Sequence, residues 1–335
     1  MRPLFFRVLA STQTGAGHLM RSLALAQAAE SYDVPSVFLL DAEAKSVAAK
    51  RHDWHYKIID LPSGLADDEE GNWIGAQAKE QGAAAIIFDG YTFAADTIKA
   101  SRSGHCTLVL MDDGMTHVSQ FVDIVVDPAA SPKTDSAQQR FCYGPEFRLL
   151  RREFAEVSPN PISQRNGIAI SLGGSDPKNL TIPLLEAIAK RMPNLPIRVV
   201  TGPAYQRLSE LEACIATLLN PIQHIHNCQD MSEVWNHAKL AISAAGGSQF
   251  ELGTCATPSI LLIVADNQQE ATKQAVKEGW AHSFDCVDRT PLADIANCVQ
   301  SLLDNDLQVL SDKAKGLYDA EGATRLLKII AEHQQ

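Results

Sequence analysis

Short apolar runs alternate with longer amphipathic segments along most of the chain. The runs cover residues 5–9, 36–40, 84–88, 107–110 and 124–126 in the first half, and 168–171, 197–200, 222–225, 240–243 and 259–264 in the second. Such runs, separated by segments long enough for crossover helices, are typical of parallel strands buried on both faces of a sheet. The pattern therefore predicts an α/β protein built from parallel sheets.

The alternation pauses once, between Arg151 and Gly167. The stretch Ser158-Pro159-Asn160-Pro161 has no apolar period, and its two prolines disfavour both helix and central strand. We place a linker there, because 335 residues exceed the ~100–200 that one domain usually holds. The predicted domains are an N-terminal Rossmann-like unit, residues 1–155, and a C-terminal Rossmann-like unit, residues 165–335. Residues 306–332 have a helical period, and the last helix is a candidate to pack back on the N-terminal domain.

The chain is acidic, with a formal net charge of −11. An acidic surface repels polyanions, so we expect no nucleic-acid partner and no anionic membrane surface. No apolar stretch approaches the ~18 residues that cross a bilayer, and no leader pattern opens the sequence, so we expect a cytoplasmic protein without membrane insertion. The seven cysteines form no CxxC pair and indicate packing rather than zinc or redox chemistry. The oligomeric state stays open.

A glycine-rich turn, residues 11–18, follows the first predicted strand and opens a helix. Gly15 and Gly17 would let the backbone approach a ligand, and the helix N-terminus would favour an anion. A dinucleotide cofactor is one alternative, since Asp41 lies at about the ~20-residue distance of a ribose-binding acid. That motif needs Gly or Ala where this chain has Met20, which disfavours a dehydrogenase. We therefore predict no cofactor.

His18 closes this turn, at the carboxyl end of a predicted parallel sheet, where open α/β folds bind their ligands. An imidazole there is a candidate general base, because histidine titrates near neutral pH. The alternative is a histidine that only caps the helix or packs. Tyr91, at the end of its own predicted strand, is a second candidate for this site, and packing is again the alternative.

Two further glycine turns follow predicted strands in the second half of the chain. Their residues are Gly173, Gly174 and Ser175 in one turn, and Gly246, Gly247 and Ser248 in the other. Backbone amides at such turns can bind a phosphate, while a tight strand-to-helix turn without a ligand is the alternative. In the first of these turns, Ser175 or Asp176 suits a helix cap and Pro177 suits the first helical turn.

Glu251 lies one helical turn beyond Gly247 and Ser248. Its carboxylate can accept hydrogen bonds from ribose hydroxyls while the amides hold a diphosphate, and a favourable contact with the helix dipole is the alternative. Asn267 and Gln268 follow the next predicted strand and are expected to line the same pocket. These residues predict a nucleotide site in the second domain.

Together these segments resemble the UDP-2,4-diacetamido-2,4,6-trideoxy-β-L-altropyranose hydrolases of pseudaminic acid biosynthesis, over nearly the whole chain. The matching segments are Gly15-Ala16-Gly17-His18-Leu19-Met20-Arg21, Asp89-Gly90-Tyr91, Asp112-Asp113, residues 143–154, residues 171–181 and Ala265-Asp266-Asn267-Gln268. The family often has Asp-Gln-Asn where this chain has Asp127-Pro128-Ala129, so no site role is assigned there.

The resemblance implies a GT-B architecture, in which two Rossmann-like domains face a cleft, as in the lipid-linked N-acetylglucosaminyl transferases of peptidoglycan synthesis. It implies that UDP binds mainly to the second domain and that Asp89 belongs to the substrate site. His18 would activate a water that attacks the anomeric carbon with inversion, and Arg21 or Lys178 would stabilise the leaving phosphate. The expected products are UDP and a free diacetamido-trideoxyhexose.

No metal site is predicted, because two adjacent acids at Asp112-Asp113 offer few well-directed ligands.

Two rival functions stay open. A GT-B glycosyltransferase would use the same nucleotide site and a non-water acceptor. A catalytically silent sugar-nucleotide sensor or scaffold would keep the fold alone, since a fold does not dictate activity. The stereochemistry and acyl groups of the sugar are not predicted.

Overall fold

A computed structural model describes residues 2–11, 16–102, 106–113, 115–131, 134–136 and 138–334. The chain forms two compact units. Unit 1 comprises Met1–Arg152 and Ala320–Gln335, and unit 2 comprises Glu153–Asp319. The C-terminal segment therefore belongs to the same unit as the N-terminal half.

Strands and helices alternate through both units. The strands are β1 (Leu4–Val8), β2 (Ser36–Leu40), β3 (Lys57–Asp60), β4 (Ala85–Asp89), β5 (Thr107–Met111), β6 (Ile124–Asp127), β7 (Arg140–Tyr143), β8 (Ile168–Ser171), β9 (Ile197–Thr201), β10 (Ile222–His226), β11 (Leu240–Ala244), β12 (Ser259–Ile263) and β13 (Ala281–Asp285). The α-helices are α1 (Gly17–Glu30), α2 (Ala42–Ala48), α3 (Asp67–Glu80), α4 (Ala95–Ser101), α5 (Thr116–Ser119), α6 (Arg152–Ala155), α7 (Thr181–Arg191), α8 (Leu208–Thr217), α9 (Met231–Asn236), α10 (Ser248–Thr254), α11 (Gln269–Glu278), α12 (Leu292–Leu303), α13 (Leu307–Ala314) and α14 (Gly322–Glu332). Short 3-10 helices lie at Pro145–Phe147, Ile162–Gln164 and Asp266–Gln268. Within the described ranges no helix combines the length and apolar character that crossing a membrane requires.

Unit 1 contains one parallel sheet with the strand order β3-β2-β1-β4-β5-β6-β7. β1 pairs with β2 on one side and with β4 on the other. The order of the strands therefore reverses between β1 and β4, and open α/β sheets bind their ligands at the carboxyl ends of strands at such a point. Val8 and Asp89, the last residues of these two strands, are partners in the pairing.

Unit 2 repeats this arrangement in a parallel sheet with the order β10-β9-β8-β11-β12-β13. Its order reverses between β8 and β11, where Ser171 pairs with Ser243. The loops that follow these two strands contain the glycine turns at residues 173–175 and 246–248. Both turns thus lie at the switch point of the unit 2 sheet, the place where its strand order reverses.

The two faces of the unit 1 sheet belong to separate apolar cores. Phe6 of β1 joins Leu25 of α1 and Leu326 of α14 in one core. Phe5, its neighbour on the strand, joins Ile74 of α3 in the other. Each large side chain buried this way contributes about 1.5–3 kcal/mol. None of the seven cysteines, which all lie in the described ranges, is in a disulfide, and four of them are buried, namely Cys106, Cys142, Cys255 and Cys286.

The C-terminal segment departs from the single helical stretch predicted for residues 306–332. It forms α13 and α14, and the chain between them adopts positive φ at Gly316 (+78°) and Ala320 (+56°). A left-handed conformation cannot continue an α-helix, so the helix stops and the chain turns. α14 then packs against α1 in unit 1.

Candidate active site

The switch point of unit 1 brings His18 next to Asp89. His18 is the second residue of α1 rather than part of the preceding loop, and Asp89 is the last residue of β4. Leu19, Leu23 and Ala26, which share one face of α1, are completely buried against the sheet. This packing holds the first turn of α1 against the end of β4, where His18 reaches Asp89.

The His18 imidazole is held by one nitrogen and is unpartnered at the other. Nδ1 lies 2.8 Å from Asp89 Oδ1. An ionised carboxylate can only accept, so Nδ1 donates its hydrogen and the neutral ring carries its lone pair on Nε2. His18 is only 3% exposed, and Nε2 is buried without a hydrogen-bond partner among the described residues. A buried acceptor without a partner is costly, and in native structures it calls for an explanation such as a catalytic role.

Asp89 is fully buried and accepts from three side chains. Besides His18, Arg21 Nε lies 2.9 Å from both carboxylate oxygens, and Ser22 Oγ donates to Oδ2 at 2.8 Å. Burial alone would raise the pKa of the Asp89 carboxyl, but the charge of Arg21 and the hydrogen bond from His18 hold that pKa below its usual value. The contacts of Asp89 in the described residues are to protein donors, and its place in the substrate site stays a prediction. Asp89 orients His18.

Arg21 also reaches Asp113, in the loop after β5. Its Nη1 lies 2.8 Å from Asp113 Oδ2, while Nη2 lies 2.6 Å from Asp89 Oδ1. Burial lowers the pKa of the guanidinium, but Asp89 and then Asp113 outweigh that effect, so the pKa lies above its usual value. The role expected for Arg21 at a leaving phosphate would require it to exchange these carboxylates for the phosphate. In this structure Arg21 is part of the support around His18.

Tyr91 packs against the imidazole and keeps an exposed side. Its ring stands edge-on to His18, with 4.3 Å between centroids and an interplanar angle of 79°. The side chain is 44% exposed. Burial of the hydroxyl, followed by the charge of Asp113, raises its pKa. Tyr91 therefore covers His18 while its surface remains open to solvent.

Glycines shape the backbone on both sides of this cluster. A Cβ on Gly90 would lie 2.7 Å from the Leu9 side chain, so the chain after Asp89 requires a residue without a side chain to pass so close to β1. Gly17 is exposed with open space around it. Gly15 lies outside the described residues.

In unit 2 the turn after β8 does not lead directly into a helix, and the side chain of Asp176 holds the turn through hydrogen bonds to backbone amides. Asp176 is buried, and its carboxylate accepts from the amides of Leu180 at 3.0 Å and Thr181 at 2.8 Å. The prediction that Pro177 occupies the first helical turn is wrong, because α7 begins only at Thr181. The N-cap residue of α7 is Leu180, which makes no side-chain cap bond, and Asp176 instead accepts from the amides at the start of the helix across the intervening turn.

Gly173 and Gly174 are used differently within this turn. Gly173 has φ +86° and faces open space. Gly174 lies against Gly202, where an added Cβ would come within 2.4 Å of the Gly174 Cα. Ser175 follows, partly buried. The turn is therefore packed on the end of β9 while Gly173 stays accessible. Lys178, considered for the leaving phosphate, donates to the carbonyl of Val287.

The turn after β11 is the more open of the two. Gly247 is exposed, with no atom within 4 Å of the position that a Cβ would take, and Ser248 begins α10. Gly246 faces Gln268, whose Nε2 lies 3.9 Å from the position of a Cβ on Gly246. Gln268 Oε1 in turn accepts from the amide of Val264, at the end of β12, at 2.9 Å. Asn267, its neighbour in the 3-10 helix, is exposed.

Glu251 is oriented by a buried tryptophan. Trp235 is fully buried, and its indole Nε1 donates to Glu251 Oε2 at 3.3 Å. The carboxylate of Glu251 therefore stays at the first turn of α10, beside the Gly246-Gly247 turn. The predicted nucleotide residues Gly246, Gly247, Ser248, Glu251 and Gln268 are thus neighbours in unit 2.

Sequence reasoning missed Ser22, Asp113 and Trp235 as parts of these clusters, and it missed the role of Asp89. Asp89 lies 71 positions from His18, and their contact depends on β1 and β4 being adjacent. The Asp-Gly-Tyr segment at a strand end is the one available signal for it. Trp235 has no motif that distinguishes it from a core residue.

An apolar pocket of about 160 Å³ lies at the opposite end of the unit 1 sheet. Leu4 and Ala84, at the amino ends of β1 and β4, line it together with Val34, Leu327 and Ile330. Arg2, Tyr32 and Gln334 also border it, and the rest of its lining comes from Lys328 and Ala331 of α14.

Sequence comparison finds distant relatives. No family model matches the chain. The uncharacterised protein MJ1062 of Methanocaldococcus jannaschii is 25% identical over 282 residues, which are 80% of this chain and 57% of that protein. The spore coat polysaccharide biosynthesis protein SpsG of Bacillus subtilis is 22% identical over 279 residues, 80% of this chain and 79% of that one. The chain thus spans little more than half the length of the first relative.

Solved structures match the whole chain. MurG of Acinetobacter baumannii has a TM-score of 0.67 at 19% identity, covering 99% of this chain and 100% of that one. The spinosyn forosaminyltransferase SpnP has a TM-score of 0.66 at 11% identity, covering 98% and 99%. A putative UDP-N-acetylglucosamine 2-epimerase from Listeria monocytogenes has a TM-score of 0.66 at 14% identity, covering 99% and 97%. The chain has the GT-B type of fold, with two Rossmann-like parallel-sheet domains.

Proposed function

We propose that the protein is an enzyme that acts on a nucleotide sugar, with unit 2 binding the nucleotide and His18 of unit 1 acting as general base. One observation carries the proposal: a buried Asp89–His18 pair leaves the imidazole Nε2 as an acceptor that no described residue pairs with. The pair has the arrangement of a base and its orienting carboxylate. The fold supports the same class, because the named enzymes among the structural matches include sugar transferases and a putative epimerase of a UDP sugar.

In the reaction, a bond from the anomeric carbon to a nucleophile oxygen replaces the bond from that carbon to the diphosphate. A nucleophile O–H gives its proton to His18 Nε2 as its oxygen attacks the carbon, and the diphosphate leaves with the bonding electron pair. A diphosphate is stable as an anion, so no second, acidic carboxylate is needed to protonate it. A single displacement of this kind inverts the anomeric carbon. Nε2 is buried in this structure, so the nucleophile reaches it only when the covering groups, such as Tyr91, move.

The nucleotide part of the proposal rests on the second switch point. The exposed turn at Gly246 and Gly247 would receive the diphosphate, and Glu251, oriented by Trp235, would accept from the ribose hydroxyls. Asn267 and Gln268 border the same turn. Gly173, Gly174 and Ser175 would contribute from the neighbouring loop at the end of β8.

The acceptor decides between two reactions. Transfer to an acceptor other than water is favoured by the comparisons, because several matched structures are glycosyltransferases by name. Hydrolysis is favoured by the sequence segments, which resemble the UDP-diacetamido-trideoxyhexose hydrolases. In the second case the products would be UDP and a free sugar for nonulosonic (pseudaminic) acid biosynthesis.

An acceptor-free assay separates these reactions. The full chain is incubated with a panel of UDP-diacetamido-trideoxyhexoses and with UDP-N-acetylglucosamine, and UDP release is followed while NMR records the anomeric configuration of the sugar. Stoichiometric UDP release from one substrate, with inverted free sugar, supports hydrolysis. UDP release that requires an added alcohol or lipid acceptor supports transfer. Calorimetric UDP binding without turnover under either condition would contradict the enzymatic proposal and leave a sensor.

A further inference from the structure

A ring of charged and titratable groups surrounds the His18 imidazole. The groups that face it are Arg21 from α1, Asp89 from the end of β4, Tyr91 from the residues after β4, and Asp113 from the loop after β5. Asp112, beside Asp113, is buried and accepts from the amide of Met115 at 2.6 Å. Residues 12–15, outside the described ranges, are Thr, Gln, Thr and Gly, and carry no ionisable side chain.

Two carboxylates approach the same nitrogen of the ring. Asp89 Oδ1 lies 2.8 Å from Nδ1, and Asp113 Oδ2 lies 3.6 Å from it. The Oδ2 of Asp113 also lies 2.8 Å from Arg21 Nη1. Asp113 therefore contacts both the cation and the imidazole, although it is not needed to fix the ring, which Asp89 already does.

The net charge of the group around His18 depends on Asp113. Asp89 and Arg21 alone would neutralise each other, so an imidazolium beside them would add an uncompensated positive charge to a buried site. With Asp113 the group carries one net negative charge when the imidazole is neutral and none when it is protonated. An opposite charge within ~4–6 Å favours the charged form of a group, and solvent reduces this effect in part here because the Asp113 side chain is 27% exposed.

We propose that Asp113 is a positioning residue that stabilises the imidazolium formed when His18 accepts a proton, acting on Nδ1 directly and through its ion pair with Arg21. This inference rests on the proposed role of His18 as base. Asp113 would thereby make proton removal from the nucleophile easier without touching substrate. Its adjacent acid, Asp112, has a different task, since it caps the turn at Met115.

The first test measures the titration of His18 in the full chain by NMR, with labelled histidine. The chain has ten histidines, so the His18 signal is identified by its loss in His18→Ala. In Asp113→Asn the midpoint of this titration should move to lower pH by about one unit, because a favourable charge is removed. Asp113→Glu keeps the negative charge, so its titration midpoint should lie close to that of the wild type. An unchanged midpoint in Asp113→Asn would overturn the proposal.

Asp96→Asn is the matched control. It removes one exposed carboxylate of the same unit, which pairs with Lys99 at 3.4 Å, and so alters the net charge equally. It should leave the His18 midpoint in place. An equal shift in this control would show a general charge effect and also overturn the proposal.

The second test uses turnover. In Asp113→Asn the plateau of kcat should fall about three- to ten-fold, because His18 becomes a weaker base. The acid limb of the pH profile should move to lower pH together with the NMR midpoint, because a weaker base stays deprotonated to lower pH. KM should stay within about two-fold of the wild-type value. A fall in the plateau with a stationary acid limb would mean a structural role alone. The NMR test needs no substrate, so it judges Asp113 even if the proposed reaction fails.

Discussion

Asp89 is a buried carboxylate that stabilises three donors at once, and its replacement should be costly. Asp89→Asn removes the negative charge beside a partly buried Arg21, which keeps its ion pair with Asp113. We therefore expect a loss in the free energy of unfolding at pH 7 near the lower end of the about 3–5 kcal/mol that breaking a buried pair costs, measured by urea denaturation. Asp60→Asn, which removes an exposed partner of Lys45, should cost no more than about 1 kcal/mol.

This stability should depend on pH in a defined direction. The pKa of Asp89 is lower in the folded protein than its ordinary value, so its ionic contribution is present above the unfolded pKa and is lost as pH falls through the folded one. The gap between wild type and Asp89→Asn should therefore narrow below about pH 4. A gap that is constant from pH 7 to pH 3 would contradict the ionised state of Asp89.

The site is predictable from the sequence only where a residue lies beside a recognisable turn. His18 and Tyr91 follow a glycine turn and a strand end, and both lie in the cluster. The residue that holds the His18 ring, Asp89, is one that the sequence assigns to a ligand instead. Side-chain partners that are distant in sequence depend on which strands are neighbours, and apolar runs do not specify the order of strands in a sheet.

At the scale of elements, the open turn between β11 and α10 gives a direct test of nucleotide binding. Gly247 has φ −55° and ψ −29° and faces open space, so alanine fits there without strain. Gly247→Ala should change the free energy of unfolding by less than about 1 kcal/mol. If a diphosphate approaches this backbone, the added methyl should weaken UDP binding by about ten-fold or more, measured by calorimetry. Unchanged UDP affinity would argue against this turn as the phosphate site.

α14 should be a structural part of unit 1 although it ends the chain. Leu326 is fully buried in the core that α14 shares with α1. Leu326→Ala should cost about 2–5 kcal/mol in the free energy of unfolding, as for other large-to-small core substitutions. Hydrogen exchange should show the loss in unit 1. Lys328→Ala, on the exposed side of the same helix, should change stability by less than about 0.5 kcal/mol. Equal effects from the two variants would contradict the packing of α14.

The ten strands expected from apolar runs are all present, with ends shifted by at most one residue. Three further strands, β3, β7 and β13, are not predicted by the pattern, and each lies at the edge of a sheet. Their residues are largely exposed or half-buried, because an edge strand is covered less than a central one. The mixture of polar and apolar residues in these strands is like that of a loop, so hydrophobic periodicity alone does not identify them.

For the whole molecule, nucleotide binding should protect unit 2 selectively. UDP at about 100 times its Kd stabilises a binding protein by about 2.7 kcal/mol. We expect slower hydrogen exchange in residues 172–176 and 245–251, measured by mass spectrometry, with the smaller effect in residues 17–30 of α1. Protection confined to α1 would place the nucleotide on unit 1 and contradict the proposed division of roles.

His18→Ala tests the central claim most directly, because it removes the base and leaves unit 2 untouched. Turnover of the nucleotide sugar identified in the acceptor-free assay and UDP affinity are measured on the same preparation. Loss of a general base should lower kcat by about 10²–10⁴ while the Kd for UDP stays within about two-fold. Turnover equal to that of the wild type would contradict His18 as the base, and with it the function proposed for the Asp89–His18 pair.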